Sequence, residues 1–195
     1  DDRPVYGGTP TDRSVIEGIQ ALRAAGQFVT FYPFILMEQL EGNGLPDPYS
    51  AALDQAPLPW RGRITTAKAP GQDGTTDGTA AAEAEVAQFV GQAGVDDFPD
   101  VPEGIGYTGP QEYSYRRFIL HYAHLCAKAG GVDAFCIGSE MRGFTRIRGA
   151  DNSFPAVDAL IQLAQDVRAI LGPDVKISYA ADWSEYYGYH SQAGS

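Results

Sequence analysis

Three carboxylates stand where the sequence predicts that buried strands end. They are Glu38, Glu140 and Asp182. Because the carboxyl ends of parallel strands meet at one edge of a sheet, we expect these side chains to share a rim. Two carboxylates that face one cleft are the groups used in glycoside hydrolysis, where one protonates the leaving oxygen and the other attacks the sugar or activates water. The alternative is that Glu140 only caps a loop or pairs with Arg142.

Aromatic residues near the predicted strand ends supply a second part of such a site. Tyr32, Trp183 and Tyr186 lie close to the ends, and Tyr49 and Trp60 lie in a long loop. Flat apolar rings that carry a polar tip suit contact with sugar rings. The alternative for the tyrosines is that they pack beneath the loop.

Three apolar segments would position the carboxylates. Residues 28–36 are the strongest strand signal, although Pro33 predicts a bulge or an irregular end. Residues 135–137 lack polar alternation, which is typical of a parallel strand covered on both faces. Residues 175–181 form the third predicted strand.

Four helices are predicted between and around these strands. The first has Thr9 as its N-cap and Pro10 at its first position, and it ends at Gly26. The other three cover 79–90, 112–129 and 155–171. Periodic apolar residues place Leu22 and Val157 on buried helix faces, with Ile161 beside Val157.

This alternation of helices and strands predicts an α/β fold with a parallel sheet and right-handed crossovers. A complete (β/α)8 barrel needs about 250 residues. The 195 residues therefore predict a single TIM-barrel-like domain over 1–195 that is a partial barrel, about strands 2–5, with a loop insertion at about 39–111. Within that insertion, residues 60–64 form either a short strand or a packed anchor. A smaller, complete open α/β sheet is the alternative.

Composition excludes several functions. The formal net charge of −11 disfavours nucleic acid and anionic membranes as partners. No apolar run is long enough to span a membrane, and no signal-peptide pattern is visible. Cys126 and Cys136 are predicted to be buried and reduced. His121 and His124 are predicted to face solvent, since no third ligand accompanies them. No metal or cofactor is therefore expected.

Several segments together resemble a known family. They include PVYGGTP, VTFYPFILME, NGLPDPY, PWRGRIT, YRRFILHYAHLCAKAGGVDAFCIGSEMRG and KISYAADWSEYYGYH. This set is similar to the TIM-barrel-like domain of the tail-tip hub protein of gene transfer agents and related tailed phages. That domain is itself similar to retaining (β/α)8 glycoside hydrolases, whose acid/base and nucleophile are glutamates at the ends of strands 4 and 7.

The resemblance implies roles for individual residues. Glu140 matches the acid/base, and the nucleophile strand would lie beyond Ser195. Ser139 stands where those hydrolases usually have an asparagine that contacts the sugar 2-hydroxyl. Ser139 joins five residues selected by their positions near the predicted strand ends. The expected substrate-binding residues are Glu38, Ser139, Asp182, Trp183, Tyr32 and Tyr186.

The implied function is action on cell-envelope polysaccharide or peptidoglycan by a glycosidase-like domain at a particle tail tip. Its expected partners include other tail-tip proteins and the remainder of its own longer chain, after synthesis in the bacterial cytoplasm. One alternative is a non-catalytic module that binds polysaccharide or builds the tail tip. A free-standing cytosolic α/β enzyme is a third possibility.

Overall fold

The computed structural model of the protein describes residues 8–186. The helices are α1 Asp12–Ala24, α2 Ala80–Val90, α3 Tyr115–Lys128, α4 Arg142–Thr145 and α5 Pro155–Leu171. The strands are β1 Thr30–Phe31, β2 Asp100–Val101, β3 Gly104–Ile105, β4 Ala134–Ser139 and β5 Lys176–Ala180. The four longer helices confirm the four that the sequence predicted.

The three predicted strands form one parallel sheet in the order β1-β4-β5. Thr30 lies opposite Ala134 in the parallel pair β1 and β4. Two backbone hydrogen bonds align β5 with β4 in the same direction, from Lys176 N to Asp133 O and from Glu140 N to Ala180 O. The α/β prediction is confirmed, while residues 8–186 do not form a closed barrel. Strands β2 and β3 form a separate antiparallel pair.

The first predicted strand is much shorter than residues 28–36. Only Thr30 and Phe31 pair with β4. Pro33 has no backbone N–H to continue the ladder, and the chain is irregular from that residue onward. The predicted strand is therefore wrong beyond Phe31, and Glu38 does not follow a strand directly.

The start of α1 also differs from the prediction. Thr11 is the N-cap, and its Oγ1 accepts a hydrogen bond from Ser14 N at 3.2 Å. Thr9 therefore precedes the helix. The carboxylate of Asp12 does not reach back to the helix start, because it binds Ile105 N at 3.0 Å and His121 Nε2 at 3.0 Å.

The described residues form two compact units. The first comprises 8–33, 89–137 and 161–179. Its fully buried side chains include Ile119, Leu120, Leu125, Cys126, Phe135, Leu163 and Val167. Both cysteines are free and buried, as predicted, and burial raises the pKa of Cys126 to about 12.

Both helix-α3 histidines belong to this first unit, and their predicted solvent-facing position is wrong. His124 Nε2 lies 2.9 Å from Val95 O, and its ring stacks on Phe98. His121 binds Asp12. Both rings are partly buried because residues 95–105 fold across this face of α3.

Some residues predicted to be buried are exposed. Leu22, Val157 and Ile161 are exposed, whereas Leu163 and Val167 form the buried face of α5 in the first unit. The sequence predicted the helical periodicity correctly. The neighbouring elements determine which of two adjacent apolar positions faces the core.

The second unit comprises 34–88, 138–160 and 180–186. Much of it lacks regular helix or strand structure. Ion pairs between charged side chains stabilise its conformation. Arg63 contacts both oxygens of Asp47, at 2.9 and 3.0 Å. Arg148 binds Asp77, whose side chain is almost fully buried. Residues 61–63 form a 3-10 turn, so the packed-anchor alternative is correct and the short strand is wrong.

Candidate functional site

Glu140 leaves the sheet at the end of β4. Its N–H donates to Ala180 O at 2.9 Å, which continues the pairing with β5. Its φ is +51°, in the left-handed region that side chains rarely adopt outside glycine. The chain turns there from β4 into α4, and the carboxylate is presented at the carboxyl end of the sheet. Strained backbone of this kind is found disproportionately at functional sites.

Two donors from the long irregular segment hold the Glu140 carboxylate. Trp60 Nε1 donates to Oε2 at 3.0 Å, and Arg61 Nη2 lies 2.8 Å from the same oxygen. Among residues 8–186, no donor is hydrogen-bonded to Oε1. The ion-pair partner of Glu140 is therefore Arg61, and the suggested pair with Arg142 is wrong.

Ser139 shares the same arginine. Its hydroxyl Oγ accepts from Arg61 Nε at 2.8 Å, and its side chain is buried. The Arg61 guanidinium also lies over the Phe34 ring, with Cζ 5.0 Å from the centroid. Ser139 thus fixes Arg61, and Arg61 in turn fixes Glu140.

Two glycines allow this segment to approach β4 and α4 closely. A Cβ on Gly62 would lie 2.5 Å from ring carbons of Trp60. A Cβ on Gly143 would lie 2.6 Å from Ile64 O and 2.7 Å from Gly62 O. Any larger side chain at either position would move Trp60 or the 3-10 turn that carries Arg61.

Glu140 and Arg61 form a partly shielded ion pair. The Arg61 side chain is 18% exposed and that of Glu140 is 35% exposed, so water screens their attraction only partly. With Oε2 held by two donors, Glu140 can accept further hydrogen bonds through Oε1.

Asp182 lies two residues after the end of β5 at Ala180. Its Oδ1 accepts hydrogen bonds from Ser184 N at 2.9 Å and from Ser184 Oγ. These bonds lower the pKa of Asp182, and the positive charge of Arg142 lowers it further. Asp182 N donates to Glu185 Oε2 at 2.7 Å. The carboxylate is therefore held charged at the strand end.

The remaining predicted site residues are less closely joined to Glu140. Trp183 and Tyr186 are 77% and 73% exposed in a 3-10 turn after β5. Glu38 is exposed, and among residues 8–186 no hydrogen bond or ion pair joins it to Glu140. Tyr32, one residue after β1, is 40% exposed.

Sequence reasoning included Arg61 in the possible packed anchor at 60–64 but did not predict its contact with Glu140. It assigned Trp60 to the site only as an aromatic face. The available signal was the compact Trp60-Arg61-Gly62-Arg63 run inside a stretch rich in Gly and Pro. A bulky aromatic and two cations beside a glycine are unusual in a mobile loop, and they indicate a packed contact.

Neither a metal site nor a membrane span is found in the described part of the chain. No group of three or more His, Cys, Asp or Glu side chains within residues 8–186 is arranged to hold a metal ion. None of the helices in this range has the length and hydropathy needed to cross a bilayer.

Comparison with known protein families finds a similarity over one part of the chain. The sequence model of a family described as the GTA TIM-barrel-like domain matches residues 113–195. This match and the parallel sheet support a TIM-barrel-like, gene transfer agent-related module. The matched range includes Glu140 and Asp182, while Trp60 and Arg61 lie outside it. A search of curated proteins finds no match to the chain.

Proposed function

We propose that this protein is a glycoside-hydrolase-like domain that binds cell-envelope polysaccharide or peptidoglycan at the tail tip of a gene transfer agent or related phage particle. The observation that carries the proposal is the Glu140 carboxylate. It lies at the end of a parallel strand, is fixed through Oε2 by Trp60 and Arg61, and has no donor on Oε1 among residues 8–186. Other tail-tip proteins and the rest of a longer chain are its proposed partners.

The chemistry of the surrounding residues suits a sugar. A fixed carboxylate oxygen accepts hydrogen bonds from sugar hydroxyls, and charge-assisted bonds of this kind are the stronger ones. The exposed ring of Trp183 provides an apolar face, and Trp60 is itself 41% exposed beside the carboxylate. Binding needs neither a protonated Glu140 nor a second catalytic carboxylate.

Retaining hydrolysis is the second candidate. The strained backbone of Glu140 favours it, because such strain costs about 1–3 kcal/mol and persists where function requires a fixed geometry. The resemblance to retaining hydrolases also assigns Glu140 as the acid/base. That role requires a second carboxylate about 5–5.5 Å away.

The test compares the wild type with Glu140→Ala and Glu140→Gln on purified envelope glycan. We expect measurable binding by the wild type, a loss of about tenfold or more in Glu140→Ala, and no turnover by any of the three. Glu17→Gln is the matched control, because Glu17 is an exposed carboxylate on α1 paired with Arg13. This variant is expected to bind as the wild type does.

Two outcomes would change the conclusion. Turnover by the wild type that falls about 10²–10⁴-fold in Glu140→Gln, with binding retained, would establish hydrolysis instead. Absence of wild-type binding, or equal binding by Glu140→Ala, would overturn the proposed site.

A further inference from the structure

Arg142 is an arginine beside the proposed site that has no side-chain partner among residues 8–186. It begins α4, two residues after Glu140. Its Nε is buried and has no hydrogen-bond partner, and no ion pair involves the side chain among residues 8–186. The Arg142 charge nevertheless lies near Asp182, since it contributes to the lowered pKa of that carboxyl after the hydrogen bonds from Ser184.

Other arginines in the same unit are paired. Arg61 contacts Glu140, Arg63 contacts Asp47 and Arg148 contacts Asp77. Arg142 is only partly exposed, and a guanidinium removed from water without hydrogen-bonding partners is unfavourable.

Asp182 does not supply the missing partner. Its Oδ1 is occupied by both donors of Ser184, and it forms no ion pair with Arg142 in the described part of the chain. The other carboxylate nearby in sequence, Glu140, is already paired with Arg61. The buried Nε is closed to a group from outside, whereas the two Nη groups of this partly exposed side chain are not buried and remain available to one.

We infer that Arg142 binds a carboxylate carried by the glycan, so that the ligand is an acidic saccharide such as one containing a uronic or muramic acid. The inference rests on the proposed glycan-binding function and specifies its ligand class. A guanidinium offers parallel N–H donors that match the two oxygens of a carboxylate, which a neutral hydroxyl cannot match. Asp182 repels a second negative charge, so the ligand carboxylate is directed to Arg142 and its hydroxyls to Asp182.

The experiment uses two matched pairs of tetrasaccharides, with binding measured by calorimetry. One pair is the alternating N-acetylglucosamine and N-acetylmuramic acid tetramer without peptide, compared with the N-acetylglucosamine tetramer. The other pair is tetragalacturonate compared with its carboxyl-reduced product. We expect the wild type to bind the acidic member at least about tenfold more tightly in at least one pair.

Variants at single arginines test whether Arg142 causes the preference for acidic saccharides. Arg142→Gln should remove the difference between acidic and neutral members, and Arg142→Lys should retain part of it. Arg13→Gln is the control, because Arg13 is an exposed arginine paired with the exposed Glu17 on α1. This control should keep the full preference.

Each contrary result has a distinct meaning. Equal wild-type binding to acidic and neutral members in both pairs, or an unchanged preference in Arg142→Gln, would overturn the role of Arg142 while leaving glycan binding intact. Failure of the wild type to bind any of these probes or purified envelope glycan would overturn both this inference and the proposed function.

Discussion

Arg61 is the residue on which the geometry around Glu140 depends. One guanidinium contacts the buried Ser139 hydroxyl and the partly exposed Glu140 carboxylate. Because Arg61 is mostly buried, its removal leaves the Ser139 hydroxyl without its donor and leaves Glu140 with Trp60 alone. A buried acceptor that loses its partner carries its full desolvation cost.

Arg61→Gln is therefore expected to reduce the free energy of unfolding by about 1–3 kcal/mol. The measurement is urea denaturation of the wild type, Arg61→Gln, Glu140→Gln and the double variant. The double variant should lose less than the sum of the two single variants, because the two side chains interact.

The exposed ion pair of Arg13 and Glu17 provides the control for this comparison of single and double variants. Its side chains are 65% and 61% exposed, so we expect Arg13→Gln to change stability by less than about 0.5 kcal/mol. Additive effects of Arg61→Gln and Glu140→Gln would show that the contact between them contributes nothing to stability.

His124 makes stability depend on pH. Burial lowers its pKa below 6.5, because the ring stacks on Phe98 and is partly removed from water. Between its folded pKa and 6.5 the unfolded chain binds more protons than the folded protein, so the contribution of His124 is fully present above pH 6.5 and declines as the pH falls. We expect thermal stability to fall more steeply from pH 7.5 to 5.5 in the wild type than in His124→Gln. Parallel curves would contradict this assignment.

At the scale of elements, the 3-10 turn at 61–63 determines whether Trp60 and Arg61 reach the Glu140 carboxylate. This turn packs on α4 only because Gly62 and Gly143 leave room for backbone oxygens and the Trp60 ring. The contact joins two segments that are distant in sequence, and it carries Trp60 and Arg61 to the end of β4.

Gly143→Ala should displace that turn, because the new methyl group would lie 2.6 Å from Ile64 O. We expect a loss of about 1–3 kcal/mol in stability and weaker glycan binding. The direct measurement is the NMR signal of the Trp60 indole N–H, which donates to Glu140 and should shift when that bond breaks.

Gly18→Ala is the matched control for this substitution. Gly18 lies within α1, and a Cβ there meets nothing within 4 Å. Alanine in a helix interior should raise stability by about 0.5–1 kcal/mol and leave the Trp60 indole signal unchanged. An unshifted signal in Gly143→Ala would mean that the turn tolerates the added methyl group.

At the scale of the whole molecule, the second unit exposes several large apolar side chains. Leu36, Leu40, Leu53 and Leu58 are each between 66% and 84% exposed. Exposed apolar surface promotes association between protein chains. The parallel sheet of the described residues is also unclosed, so edge strands remain.

We expect the protein to self-associate as its concentration rises, and Leu40→Ser combined with Leu53→Ser to reduce that association. Because both side chains are exposed, the substitutions should cost little stability. Light scattering across a concentration series measures the association, and Leu120→Ser, at a fully buried position, should instead unfold the protein. A monomer at all concentrations would contradict the prediction.

The sequence by itself determined the parts of this protein that depend on local patterns. Helical periodicity and apolar runs predicted four helices and the parallel strands that end before Glu140 and Asp182. These features follow from residues close together in the chain, where side-chain period and turn residues act directly.

Only the tertiary structure decided what surrounds Glu140. Arg61 and Trp60 lie about eighty residues before it in sequence, within a segment that has almost no periodic pattern. Their approach depends on close packing at Gly62 and Gly143. Within residues 8–186, Glu140 pairs with Arg61 and not with Arg142. Such contacts arise when distant segments pack together, so neither hydrophobic period nor local propensity could have predicted them.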